Sequence, residues 1–251
     1  MKKLDGKTAI VTGGGRDIGK AISLKLAKLG ANIVVNYYGD QDAAEKTVAE
    51  ITKAGGKAIL FRGDMTKQDD VLRMIALAKE TYGPAIDLLV NVAGGIVARK
   101  TLEEMDEDFF SAVVRLNLNS AFLTCKHATP LMSAGASIVN LASQAGRDGG
   151  GPGASAYATG KGALMTFTRA MAKELGPKGI RVNAVCPGMI ATTFHDTFSK
   201  DEVRKNVAAA TPLKREGQAE EVADLVVYLG SDEASFINGA CIDINGGLLF
   251  S

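Results

Sequence analysis

The sequence predicts an α/β protein, a doubly wound parallel sheet of seven strands in a single domain. Three observations carry that reading. Seven short apolar runs recur along the 251 residues. Segments with apolar residues at helical spacing separate them, the alternation expected of right-handed βαβ units. The runs are nearly continuous in apolar residues, as in strands covered on both faces of a sheet.

The elements follow in order. Thr8–Val11 reads as the first buried strand. It opens into Thr12-Gly13-Gly14-Gly15-Arg16-Asp17-Ile18-Gly19, and Ile18, Ile22, Leu26 and Leu29 then mark a helix over Ile18–Leu29. A strand, a glycine turn and a helix N-terminus form an anion site, because free N–H groups and the positive helix end face the ligand. The glycines fall at 13, 14, 15 and 19, a spacing that departs from G-x-G-x-x-G. Further strands are predicted at Asn32–Asn36, Ala58–Phe61, Leu88–Val92, Ser137–Leu141, Val182–Val185 and Cys241–Ile244. Further helices are predicted at Asp42–Ala54, Asp69–Tyr82, Asp108–Leu131, Ala156–Leu175 and Ala219–Leu229. Loops near residues 94–100, 147–153 and 189–213 are the irregular stretches, and they follow predicted strand ends, where open α/β sheets hold ligands.

Composition narrows the function. Hydrophobic residues make up 46%, ample for one core, and a net charge of +1 argues against nucleic acid or an anionic membrane as the main partner. No apolar run is long enough to span a bilayer, and Met1-Lys2-Lys3-Leu4-Asp5-Gly6-Lys7 lacks the apolar core of a signal peptide. The expected location is cytoplasmic, with Cys125, Cys186 and Cys241 as reduced thiols. With His127 and His195 the only histidines and no Cys-x-x-Cys, no metal site is expected.

Tyr157 and Lys161 stand four apart on a predicted helix and so share a face. An ammonium beside a phenol favours phenolate and lowers its pKa, which suits acid–base work. Ser143 lies just past a strand, where its hydroxyl can reach the crevice or merely cap a turn. Asn117 is a poor interior helix residue and implies a bound water or a kink, with Asn119 the competing candidate.

These pieces, together with Asn91-Val92-Ala93-Gly94 and Pro187-Gly188, occur in the order of the short-chain dehydrogenase/reductases. The resemblance runs from about Leu4 to Gly247. Two positions depart from that family: Asp17 and Val92 stand where it usually has glycine and asparagine. A carboxylate at 17 is awkward beside phosphates unless it points away or caps the helix.

The resemblance implies a Rossmann-type fold and an NAD(P)-dependent oxidoreductase. It implies Tyr157 as proton donor, Lys161 as holder of the ribose, Ser143 as orienter of the carbonyl, and Asn117 as holder of a relay water. Implied cofactor contacts are Gly13, Gly15, Arg16, Ile18, Gly19, Asn36, Asp64, Met65, Asn91, Ala93, Gly94, Pro187, Gly188, Ile190 and Thr192, besides Tyr157 and Lys161. At the second strand end Asn36 stands where an acidic residue would bind the ribose 2′-hydroxyl, and Arg16 could face a 2′-phosphate. The cofactor is therefore NADP or NAD with a lean to NADP, although Asp40 and Asp42 could fold back against the extra phosphate.

Arg99, Lys100, Arg147 and His195 lie on the three loops, so the expected substrate is an anionic carbonyl compound, bound by Arg99, Arg147 and His195. Gly94–Lys100 and Phe194-His195-Asp196 are similar to segments of reductases of keto sugar acids. Those substrates include 2-keto-3-deoxygluconate and the 4-deoxy-5-keto uronate of alginate or pectin breakdown. The alternative is a 3-oxoacyl-acyl-carrier-protein reductase, for which Lys173 matches one carrier-binding position and Leu131–Ala136 lacks a second basic residue. A non-catalytic binding member of the family is the third reading, and intact Ser143, Tyr157 and Lys161 count against it. Resemblance of the two long helices to those that pair across subunits in the family implies a homotetramer.

Overall fold

The computed structural model describes residues 4–251; Met1, Lys2 and Lys3 of the N-terminal stretch lie outside the described residues. Seven parallel strands form one sheet in the order β3-β2-β1-β4-β5-β6-β7. They are β1 Thr8–Thr12, β2 Asn32–Tyr37, β3 Lys57–Arg62, β4 Leu88–Asn91, β5 Ser137–Leu141, β6 Arg181–Pro187 and β7 Cys241–Ile244. The strand order reverses between β1 and β4, which splays the connections that follow them and opens a crevice at their carboxyl ends.

Period-two alternation divides the core into two layers. Ala9 and Val11 of β1 and Val139 and Leu141 of β5 pack with α1 (Asp17–Lys28) and α10 (Ala219–Gly230). Ile10 and Ile138 pack on the other face against α3 (Gln68–Tyr82), α5 (Ser120–Ala128) and α7 (Ser155–Leu175). The helix that follows β2, α2 (Gln41–Lys53), is capped by Asp40, whose Oδ1 accepts from Ala43 N at 3.1 Å.

Two predicted elements change. The single helix expected over Asp108–Leu131 is α4 (Glu107–Val114), a π-helical turn Arg115–Asn119, α5 and a 3₁₀ turn Thr129–Leu131. The cause is Asn117, whose Nδ2 donates to Val113 O at 2.9 Å and to Gly95 O at 2.8 Å. A side chain bonding its own helix in this way widens the backbone. The stretch 189–213, expected to be irregular, carries α8 (Thr193–Phe198) and α9 (Asp201–Ala210). A short helix, α6 (Ala145–Asp148), precedes the glycine-dense loop. None of the helices among the described residues is long and apolar enough to cross a membrane.

Candidate active site

A cleft of about 1040 Å³ runs over the carboxyl ends of the strands. Gly13, Gly15, Arg16, Ile18, Gly19, Asn36, Asp64, Met65, Ala93, Gly94, Pro187, Gly188, Ile190 and Thr192 all line it. Gly19 is required by close packing, since a Cβ there would stand 2.0 Å from Gly13 O. The N-terminus of α1 carries no side-chain cap, so its N–H groups and dipole stay available to an anion. Cleft size, glycine cradle and uncapped helix end fit a dinucleotide.

Asp17 resolves one of the departures. It lines the cleft but does not cap α1; its carboxylate accepts the backbone N–H and hydroxyl of Thr193. Its φ of +49° explains why glycine suits this position. Asp64 behaves as a turn residue, its Oδ1 accepting Thr66 N at 2.9 Å and Thr66 Oγ1 at 2.7 Å, while still lining the cleft.

Of two expected cofactor contacts, Asn36 also braces the fold while lining the cleft, and Asn91 serves structure instead. Asn36 is buried, with Oδ1 accepting Gly13 N at 3.1 Å and Nδ2 donating to Gly63 O at 3.0 Å. It braces the glycine turn, because β2 runs one residue further than predicted and places Tyr37 at the strand end. Asn91 does not reach the cleft: its Nδ2 donates to Asn140 Oδ1 at 2.9 Å and its Oδ1 accepts Thr124 Oγ1 at 2.7 Å. Asn140 Nδ2 in turn donates to Thr168 Oγ1 at 2.9 Å, a buried chain that ties α5, β4, β5 and α7 together.

The catalytic candidates converge. Ser143 lies just past β5, Tyr157 and Lys161 come from α7, and all three line the cleft. Lys161 Nζ donates to Leu141 O at 2.5 Å and lies 5.8 Å from the Tyr157 ring centre. Asn117 sits behind the cleft wall, Oδ1 accepting Gly95 N at 3.0 Å, and Asn119 is exposed. A Cβ on Gly94 would fall 2.7 Å from Asn117 Oδ1 and 3.0 Å from Lys161 Nζ, so this glycine lets the two polar ends approach. Burial lowers the Lys161 pKa to about 8, which leaves it an ammonium at neutral pH.

Tyr157 differs from the expectation. Burial pushes its pKa above 10, and the Ser143 hydrogen bond only partly offsets this. The lysine does not lower it in the structure, because its ammonium is turned to the Leu141 carbonyl. The thiols of Cys125 and Cys186 are pushed up to about 12 by burial and are not nucleophiles.

The cationic loop residues part company. Arg147 is withdrawn from the cleft: its Nε pairs with Asp243 Oδ1 at 2.7 Å, and Nη2 donates to Cys241 O at 2.5 Å. It ties the segment after β5 to β7. Lys100 faces Asp106 at 3.7 Å and the Phe109 ring at 4.5 Å. His195 lines the cleft, but burial, then Arg204, lowers its pKa, so it is a neutral hydrogen-bonding ring at pH 7 rather than a cation. Its Nδ1 is 2.9 Å from Ser199 Oγ. Arg99 remains. Its Nε and Nη1 donate to Phe198 O and Pro152 O, both at 2.9 Å, and its Nη2 has no protein partner among the described residues.

Sequence reasoning missed the apolar side of this pocket. The Phe194 ring centre lies 6.1 Å from that of Tyr157, and Ile96, Val203 and Val207 complete the wall. Val203 and Val207 stand four apart on α9, the helical spacing by which the sequence marks this face. Val97, also on the wall, holds a φ of +65°, a costly conformation for a β-branched residue.

The family model described as "Enoyl-(Acyl carrier protein) reductase" matches residues 13–249. The chain is 36% identical to "Short chain dehydrogenase/reductase nsrJ" of Aspergillus novofumigatus, over 98% of this chain and 96% of that one. It is 37% identical to the 3-oxoacyl-[acyl-carrier-protein] reductase FabG of Staphylococcus aureus, over 96% and 98%. A crystal structure of a dehydrogenase/reductase from Sinorhizobium meliloti superposes with a TM-score of 0.94 at 32% identity, over 99% and 97% of the two chains. A short-chain dehydrogenase/reductase from Serratia marcescens gives 0.92 at 33%, over 98% and 99%.

Proposed function

The chain belongs to the short-chain dehydrogenase/reductase family of NAD(P)-dependent oxidoreductases, and on that footing we propose that it reduces the carbonyl of a keto sugar acid such as 4-deoxy-5-keto uronate. The convergence of Ser143, Tyr157 and Lys161 on the cleft carries the carbonyl-reductase part. Arg99 supports the acid part: two backbone carbonyls fix its guanidinium at the cleft, and its Nη2 keeps its donors for a carboxylate.

When bound, NADPH or NADH supplies the hydride. The residues of the chain do the rest. Ser143 Oγ donates a hydrogen bond to the carbonyl oxygen and orients it. Tyr157 Oη gives the proton to that oxygen as it gains charge. Lys161 holds a positive charge beneath Tyr157 and binds the ribose, and Asn117 keeps a water in reach of Lys161.

NADPH is the proposed preference. Arg16 lies at the cleft mouth with 61% of its side chain exposed, and the Asp40 carboxylate is engaged in capping α2. Arg16→Ala should raise the Michaelis constant for NADPH about tenfold more than that for NADH, from loss of a charged hydrogen bond of ~1.5 kcal/mol. A homotetramer is proposed with it; the exposed Phe110 and Phe122 on α4 and α5 support helix pairing between copies.

A second reading, reduction of a 3-oxoacyl thioester, is favoured by the apolar wall of Phe194, Ile96, Val203 and Val207. One experiment separates the two: NADPH and NADH oxidation with 4-deoxy-5-keto uronate, 2-keto-3-deoxygluconate, acetoacetyl thioester and a neutral diketone, in wild type and Arg99→Met. The sugar-acid reading expects Arg99→Met to cost the acid about 10- to 100-fold more in kcat/KM than the diketone, as for ~1.5–3 kcal/mol of a charged contact. Faster turnover of the thioester than of either acid overturns it in favour of the second reading.

A further inference from the structure

Helix α8 turns one face to solvent and the other to the cleft. Thr193, Asp196 and Thr197, at helical spacing, are exposed, whereas Phe194, His195 and, just past the helix end, Ser199 line the cleft. The half-buried His195 ring packs edge-on against Phe194, with ring centres 5.0 Å apart. Its Nδ1 meets Ser199 Oγ at 2.9 Å, and its Nε2 has no protein partner among the described residues. That nitrogen is not sealed: Gln144 Oε1 is the sole buried side-chain polar atom without a partner among the described residues. Nε2 is therefore open to a ligand on the face that lines the cleft. Ser199 Oγ has no other bond to fix its hydrogen, so it donates to Nδ1 or accepts from it, and Nε2 correspondingly donates or accepts. The charges around the ring leave one cation free. Arg204 of α9 holds Glu216 through Nε and Nη2, both at 2.7 Å, and Asp196 through Nη1, which occupies both carboxylates. Arg99 reaches the same turn, with Nε bonded to Phe198 O and Nη2 still unpartnered. Burial, then Arg204 and Arg99, outweigh Glu216 and Asp196 and keep the ring neutral. This corner of the cleft thus offers one cation and, beside it, one neutral nitrogen that donates or accepts.

We propose that Arg99 and His195 form a subsite for the acid end of the substrate, in which Arg99 holds a carboxylate and His195 Nε2 meets an oxygen on the next carbon, as in a 2-oxo or 2-hydroxy acid. This rests on the carbonyl-reductase reading above and narrows its substrate class. A carboxylate suits the guanidinium, whereas a second carboxylate at the neutral ring would find no counter-charge. A 2-oxo group accepts from Nε2–H, and a 2-hydroxyl serves with either tautomer. The direction of binding follows from Phe194, which lies between His195 and Tyr157 with its ring centre 6.1 Å from that of Tyr157. The acid end is held an aromatic ring's width from the proton donor. The substrate is therefore an open-chain acid whose reacting carbonyl lies at the end opposite the carboxylate.

The test measures, by calorimetry, binding of 2-oxohexanoate and hexanoate to the protein loaded with oxidised cofactor, which reduces neither acid. Wild type should bind the 2-oxo acid about tenfold more tightly, the value of one hydrogen bond. His195→Phe keeps a ring and loses the nitrogen, so the two affinities should become equal. His195→Gln sets an amide near the place of Nε2 and should restore part of the preference. Arg99→Met should weaken both acids alike and leave their ratio standing. Equal affinities in wild type overturn the proposal without any variant, as does failure of both acids to bind at millimolar concentration. A preference that survives His195→Phe also overturns it, because the oxygen is then read elsewhere. Turnover of a keto sugar acid in the same preparation tests the reading above separately. Turnover with equal binding of the two acids sinks the subsite alone. A tenfold preference lost in His195→Phe, without turnover of the sugar acid, upholds the subsite and sinks the keto-sugar-acid reading.

Discussion

The carboxylate of Asp17 receives the Thr193 backbone N–H at 3.0 Å and the Thr193 hydroxyl at 2.6 Å, across 176 residues of chain. This joins the glycine turn of the cofactor cradle to the first residue of α8, the helix that carries Phe194 and His195 over Tyr157. An aspartate is the better tolerated of non-glycine residues at positive φ, so the fold accepts the strain and gains a clasp.

Thr193→Val keeps the shape of the side chain and removes one of the two donors. The segment 189–213 should then exchange its amide hydrogens about three- to tenfold faster, from loss of a charge-assisted bond partly exposed to water, ~1 kcal/mol. The Michaelis constant for the cofactor should rise with it, because Ile190 and Thr192 of the same segment line the cleft. Unaltered exchange would mean that other bonds hold the segment, such as Arg99 to Phe198 O and the backbone bonds of Met189 and Ala191 with Gly217.

Tyr157→Phe should lower turnover a hundredfold or more, the usual worth of a positioned general acid. Cofactor affinity should stay nearly intact, because the ring still packs against Phe194. Retention of more than about a tenth of the wild-type rate would remove Tyr157 from its role.

Lys161→Met should abolish activity and yet stabilise the cofactor-free protein at pH 7. The difference between about 8 in the folded chain and 10.5 for the free side chain is on the order of 3 kcal/mol against burying the ammonium. That cost is fully present below pH 8. It fades as pH rises from 8 toward 10.5, where the folded chain has shed a proton that the unfolded chain still holds. Thermal melts of wild type and variant should therefore differ by several degrees at pH 7 and converge by pH 10. A lowered Tm at pH 7 would show the Leu141 hydrogen bond outweighing desolvation.

Arg147→Met should destabilise without changing substrate selectivity. The Arg147–Asp243 pair is 15% and 16% exposed, and removing the arginine leaves a mostly buried carboxylate, at ~2–3 kcal/mol. Urea midpoints read the loss, and the ratio of kcat/KM for charged and neutral carbonyls should hold. A selective loss of the charged substrate would return Arg147 to the site.

The sheet, its flanking helices and the Ser143, Tyr157 and Lys161 group were legible in the sequence because each depends on local pattern. Apolar runs define buried strands, helical spacing puts Tyr157 and Lys161 on one face, and glycine spacing marks a turn on a helix end. The break at Asn117 was legible as a kink, since an asparagine inside a helix competes with the backbone, but its π-helical form required Gly95 to be in reach.

What only the tertiary structure decided is where each polar side chain spends its hydrogen bonds. Arg147 and Lys100 look like Arg99 in a sequence, yet Asp243, 96 residues away, takes the first and Asp106 the second. Asn91 looks like a cofactor contact and instead braces the sheet, and Asn36 braces the glycine turn while lining the cleft, because their partners Asn140 and Gly63 arrive from other strands. Asp17 meets a threonine that no local pattern could bring to it. Charge and hydrogen-bonding capacity belong to the residue, but the partner that consumes them is set by the packing of distant elements.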